Sequence, residues 1–241
     1  MFPSDRLVGR RRRGHDRSMF RLRALLVMVA ALSAFWCTGA SARGCSLALL
    51  LAIDISGSVD DGEYRLQVDG TADALSDPDI QSALLSGPVT LAVMQWSAVG
   101  MQKIVQPWQR MDTLADIERF GAAARIQERA FGKADTAVSD AISAAVAAFE
   151  DVPDCPKRVI DISGDGVQNA GGPLPLARNR AIAAGITINA IAIEGIGLTI
   201  SEFYRRNVVT KGGFVMTARG HTDYPRAIRE KILREIVVPL G

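Results

Sequence analysis

Histidine is almost missing from this chain: two residues in 241, His15 and His221. No Gly-x-Ser-x-Gly elbow is present either, so a serine-triad hydrolase is disfavoured. No Gly-x-Gly-x-x-Gly follows a strand-like run, and no phosphate-binding lysine loop occurs, which removes the common nucleotide-binding classes. An Asp-x-Asp phosphatase is disfavoured too, because Ser56 stands where the second aspartate is needed. There is no internal repeat and no long low-complexity linker. The longest apolar stretch near the N-terminus, Ala24–Trp36, has 13 residues. A spanning helix needs roughly 20.

That stretch has a different explanation. It follows Arg10–Arg13, Arg17, Arg21 and Arg23, and it precedes the small residues Ala40-Ser41-Ala42. A charged segment, an apolar run and a small-residue site read as a cleavable secretory signal over residues 1–42, with a mature start at Arg43 and a periplasmic or secreted product. Met19 is an alternative start. The first 42 residues hold eight of the 28 Lys and Arg and two of the 26 Asp and Glu. The remaining chain therefore has 20 basic and 24 acidic residues, a net charge of −4. The excess of basic charge belongs to the signal segment, so no nucleic-acid-binding surface is inferred.

Residues 43–241 are expected to form one domain. Hydrophobic residues make up 48% of the chain, enough for a substantial core. Strand-like runs alternate with helix-like stretches, which predicts an α/β fold. Its sheet is doubly wound and mostly parallel, with helices on both faces. Strands are expected at Leu47–Asp54, Val89–Ser97, Lys103–Trp108, Arg158–Ile162, Ile186–Ile193 and Gly213–Thr217. The short link between the second and third makes the third an antiparallel edge strand. Helices are expected from Asp61 to just before Pro78, and over Thr113–Gln127, Ala137–Phe149, Leu176–Ala184, Ile200–Val209 and Tyr224–Val237. Asp60 and Glu63 have the spacing of a capping box. Gly185 is placed to end a helix.

Seven apolar residues, Leu47–Ile53, run into Asp54-Ile55-Ser56-Gly57-Ser58. In open α/β sheets ligands bind at strand C-termini. A carboxylate and two hydroxyls there are hard oxygen donors suited to Mg²⁺, Ca²⁺ or Mn²⁺. Thr136 precedes a helix, and Asp165 ends another strand between Gly164 and Gly166. If those two strands are neighbours, Asp54 and Asp165 emerge together.

In this ordered set the chain resembles the von Willebrand factor A domain and its metal-ion-dependent adhesion site. More closely it resembles a bacterial family of exported A-domain-like proteins of unknown function. Ile53–Asp60, Arg158–Gly166, Ala184–Asn189 and Tyr204–Val208 carry that likeness. The resemblance implies that Ser56 and Ser58 ligate a divalent cation directly and that Thr136 does so directly or through water. Asp54 and Asp165 would hold coordinated waters. Mg²⁺ is the first choice, with Mn²⁺ and Ca²⁺ as alternatives. An acidic side chain of a partner protein would fill the open position. Gly57, Gly164 and Gly166 are expected to permit tight turns around the ion. The chain departs from the family pattern at Gly164, where many A domains carry threonine, and at Lys133-Ala134-Asp135, where a glycine run is usual.

Cys45 lies nine residues before Asp54, and Cys155 ten before Asp165. On adjacent parallel strands both fall at the opposite ends, which predicts a Cys45–Cys155 disulfide. His221 is expected to be a helix-cap or surface residue. Trp96 and Trp108 are assigned to packing, and Arg178, Arg180, Arg205 and Arg206 to solvated helix faces. The expected function is a metal-dependent protein-binding module rather than an enzyme. The alternatives are a Mg²⁺-dependent hydrolase using the same oxygens, or a structural domain with a vestigial site.

Overall fold

The computed structural model describes residues 44–152 and 154–237. The expected signal segment lies outside them. Six strands form one sheet: β1 Leu47–Asp54, β2 Val89–Trp96, β3 Gln102–Arg110, β4 Lys157–Gly164, β5 Ile186–Glu194 and β6 Val215–Arg219. Their order is β3-β2-β1-β4-β5-β6, parallel except for the antiparallel β2–β3 pair at one edge. This is the expected architecture. β1 is central and buried along all eight residues, as an unbroken apolar run requires when helices cover both faces.

Alternate residues of β1 feed two cores. Leu49, Leu51 and Ile53 face one side with helices α1 (Asp61–Leu75), α2 (Pro78–Ser86) and α3 (Leu114–Arg125). Ala48, Leu50 and Ala52 face the other, with α4 (Val138–Ala148) and α5 (Leu174–Ala183). After β5 come α6 (Thr199–Phe203) and a π-helical turn, Tyr204–Val208. A 3₁₀ turn at His221–Asp223 leads into α7 (Tyr224–Val237), which packs on the first core.

The Asp60–Glu63 capping box is formed: Glu63 N–H donates to Asp60 Oδ1 (2.8 Å) and Asp60 N–H to Glu63 Oε2 (2.7 Å). α1 ends before Pro78 as expected, but that proline opens α2 rather than a loop. Asp77 accepts from the N–H groups of Asp79 (2.9 Å) and Ile80 (3.3 Å), and proline is favoured in a first helical turn because its missing N–H is not needed there. The single helix expected over Ile200–Val209 is instead α6 and the π turn. That break carries Tyr204 into the interior, where it is fully buried. Gly185 has the left-handed φ of +67° expected after a helix.

β1 and β4 pair with Leu47 opposite Lys157 and Ile53 opposite Ser163. Each cysteine lies two residues before its strand, so the register brings them face to face. Cys45 and Cys155 form a disulfide with Cα atoms 4.7 Å apart.

Candidate functional site

The same register that joins the cysteines at one end of the sheet brings Asp54 and Asp165 together at the other. Asp54 ends β1 and is fully buried. Its Oδ1 accepts from Ser56 N–H at 2.8 Å, which folds the chain back over the strand end. Ser56 Oγ lies 3.2 Å from Ser58 Oγ, and Thr136 Oγ1 donates to Ser56 Oγ at 3.1 Å. Ser58 Oγ donates to Asp165 Oδ1 at 2.6 Å. Three segments far apart in sequence thus meet in one continuous array of oxygens.

Each segment is anchored by groups outside the array. Thr136 N–H donates to Asn169 Oδ1 (2.8 Å), and Ala137 N–H donates to Ser97 C=O (2.9 Å). The Arg129 guanidinium reaches under the Asp54–Asp60 loop, donating to the carbonyls of Ile55 (2.8 Å) and Val59 (3.0 Å). Gln67 Nε2 donates to Asp54 C=O at 3.2 Å. Trp96, fully buried, donates from its indole to Ala52 C=O at 3.2 Å. It belongs to the core, as expected. Trp108 packs against Phe149, with ring centres 5.1 Å apart.

The glycines serve a different purpose from the expected one. None of Gly57, Gly164 and Gly166 has a positive φ. Space explains two of them. A Cβ on Gly57 would lie 3.1 Å from the Ala134 carbonyl, where Gly57 N–H already donates at 2.7 Å. A Cβ on Gly164 would strike the Tyr204 hydroxyl and lie 2.9 Å from Asp54 Oδ2. A threonine here has no room. At Gly166 the nearest atom, Thr136 Oγ1, would be 3.6 Å away, an ordinary contact.

Two buried polar atoms beside Gly164 lack a hydrogen-bond partner: Asp54 Oδ2 and the Tyr204 hydroxyl. Burial, reinforced by the charge of Asp165, pushes the Asp54 carboxyl up to about 7. Burial, then the same two carboxylates, raises the Tyr204 phenol well above its usual value, so it stays protonated. An orphaned buried carboxylate oxygen carries a desolvation penalty that a cation would relieve. The oxygen spacing suits a small hard ion. An octahedron with bonds of about 2.1 Å has edges of about 3.0 Å, close to the 3.2 and 3.1 Å separations of the hydroxyls. The donor set therefore fits a divalent cation.

His221 is not at the surface. Its side chain is 8% exposed, with Nδ1 3.1 Å from Glu63 Oε1 and Nε2 3.9 Å from Asp165 Oδ2. Glu63, Asp165 and His221 bring potential ligand atoms within 4.8 Å of one another, an acidic and imidazole cluster abutting the oxygen array. His221, Tyr204, Arg129 and Asn169 are the site components that sequence reasoning missed. A buried lone histidine beside a capping-box glutamate carries no local signal.

The fold is shared with solved structures. Proximal thread matrix protein 1 from the mussel byssus, in a structure described as having a zinc-occupied MIDAS motif, superposes with a TM-score of 0.59 at 18% identity, over 79% of this chain and 48% of that one. The pilus adhesin SpaC from Lactobacillus rhamnosus GG gives 0.58 at 12% identity, over 80% and 31%. A von Willebrand factor type A protein from Catenulispora acidiphila gives 0.57 at 17% identity, over 80% and 43%. The chain thus spans less than half the length of each. At these identities the likeness establishes the A-domain fold. No curated protein matches the chain. Residues 44–239 match the family described as "Protein of unknown function (DUF1194)", and the chain belongs to that family, with a von Willebrand factor A-like fold.

Proposed function

We propose that this chain is an exported adhesion-type binding module that captures an acidic side chain of a partner protein through a hard divalent cation, Mg²⁺ in the first instance. Ser56, Ser58 and Thr136 supply hydroxyl ligands, and Asp54 and Asp165 hold coordinated waters. Residues 43–241 act as the module once a signal segment over residues 1–42 is removed. Among the described residues no helix is long and apolar enough to cross a membrane.

The observation that carries this reading is the convergence of five oxygen-bearing side chains at the C-terminal ends of β1 and β4, with Asp54 Oδ2 buried and unpartnered. A cation there neutralises the Asp54 carboxylate, which burial and repulsion from Asp165 make hard to ionise. Ser58 is exposed, so the ion would be approached from solvent on that side. An exposed cation held largely by neutral hydroxyls attracts a carboxylate far more strongly than an amide. The structural relatives support the same class: their descriptions name a byssus matrix protein and a pilus adhesin.

The carboxylate preference is directly testable. Mn²⁺ bound to the protein should enhance water-proton relaxation through its open positions. A short polyglutamate peptide should then lower that enhancement by displacing water, while a polyglutamine peptide of equal length should leave it unchanged. Equal effects of the two peptides would refute capture through a carboxylate.

A further inference from the structure

We propose that His221 Nε2 and Asp165 Oδ2 hold a second cation, of the borderline transition-metal class represented by Zn²⁺, beside the hydroxyl array. Asp165 faces two ways. Its Oδ1 takes the Ser58 hydroxyl at 2.6 Å, and its Oδ2 is turned toward His221. One carboxylate is therefore available to two positions.

The imidazole is prepared for a metal. Nδ1 lies 3.1 Å from Glu63 Oε1, within reach of that carboxylate, and Nε2 lies on the Asp165 side of the ring. Glu63 is itself fixed, because its other oxygen accepts Asp60 N–H in the capping box at 2.7 Å. Carboxylate, imidazole and metal in that order are the usual way a ligating histidine is oriented. The opposite ring atom is the independent observation. Nε2 is buried on a side chain 8% exposed, and it has no hydrogen-bond partner. Its separation of 3.9 Å from Asp165 Oδ2 is too long for a hydrogen bond.

That separation suits an ion. Zn–N and Zn–O bonds of about 2.0–2.1 Å place two ligands at most about 4.1 Å apart, and a closure of about half an ångström gives a tetrahedral edge of about 3.4 Å. An imidazole nitrogen selects Zn²⁺ over Mg²⁺, whereas the hydroxyl array prefers the harder ion. With both Glu63 oxygens engaged, Glu63 is a positioning residue and water completes the coordination. The second site shares Asp165 with the proposed adhesion-type cation but uses none of Asp54, Ser56 and Thr136.

Calorimetric titration of Zn²⁺ into Mg²⁺-saturated protein should show one Zn²⁺ bound per chain. His221→Ala should weaken that event at least a hundredfold. Glu63→Gln, which keeps the size of the side chain but only one of its two acceptor oxygens, should weaken it tenfold to a hundredfold. Ser56→Ala combined with Thr136→Ala should leave it in place, so failure of the hydroxyl site is distinguishable from failure of this one. Nitrogen-15 imidazole spectra of the unmodified protein cover the case in which His221→Ala does not fold. They should show the His221 Nε2 resonance moving on addition of Zn²⁺. Zn²⁺ binding that is absent or indifferent to His221→Ala overturns the proposal, as does a His221 Nε2 resonance that Zn²⁺ does not perturb.

Discussion

Replacing Lys231 with methionine is expected to destabilise the fold by about 3–5 kcal/mol, the usual loss when one partner leaves a buried ionic cluster. Lys231 projects from α7 into the core with no exposure at all. Its ammonium pairs with Asp161 of β4 and lies 2.6 Å from Glu235 Oε1. Asn189 of β5 donates to the same Glu235 oxygen at 2.8 Å. One cation thus serves two carboxylates, both nearly unexposed. Burial, with Glu235 adding to it, pushes the Asp161 carboxyl up to about 7 despite the ammonium beside it. The folded protein therefore keeps a proton that the unfolded chain releases near pH 4. Between about pH 4 and 7 the native state binds more protons, so stability from this group falls as pH rises. Asp54, also raised, adds a slope of the same sign. Asp161→Asn should flatten the Asp161 part of that slope, while Lys231→Met should lower the midpoint of urea unfolding at neutral pH. An unchanged midpoint in Lys231→Met would show that the cluster contributes nothing net.

Loss of the Cys45–Cys155 bridge is expected to be comparably damaging. The two residues are 110 apart in sequence, and on the chain-entropy model closing a loop of that length restricts the unfolded chain by about 4–5 kcal/mol. The bridge joins the central pair β1 and β4 at the end opposite the oxygen array. Its loss should act mainly through the unfolded state and leave the site geometry intact. Cys45→Ser with Cys155→Ser should lower the unfolding free energy by about that amount while retaining cation binding below the transition. Stability equal to that of the wild type under oxidising conditions would contradict this.

The mostly parallel sheet, its antiparallel edge strand and the oxygen-bearing residues that meet at one end were legible because they rest on patterns along the chain. An apolar run ending in Asp-x-Ser-x-Ser announces a central strand and its loop, and the matching offsets of Cys45 and Cys155 anticipate the register. What surrounds the array was not legible, because those contacts form between residues with no spacing rule to join them. His221 meets Glu63 across 158 positions. Arg129 braces a loop some 70 residues earlier through carbonyl groups, which leave no mark in a sequence. Tyr204 enters the core because a helix changes to a π turn, and helical periodicity does not forecast that shift. Pro78 could end one helix or begin another, and it begins one because Asp77 caps it. Gly164 reads from sequence as a turn residue, but its side-chain space is taken by Tyr204 and Asp54.

The proposed adhesion-type function requires this array to bind a hard divalent cation. Calorimetric titration of Mg²⁺ into the metal-free protein, beside the Asp54→Ala, Ser56→Ala double variant, tests it most directly. One Mg²⁺ per chain should bind the wild type, with affinity reduced at least a hundredfold in the variant. No binding to the wild type, or equal binding to both, would rule out a cation-dependent site at Asp54 and Ser56.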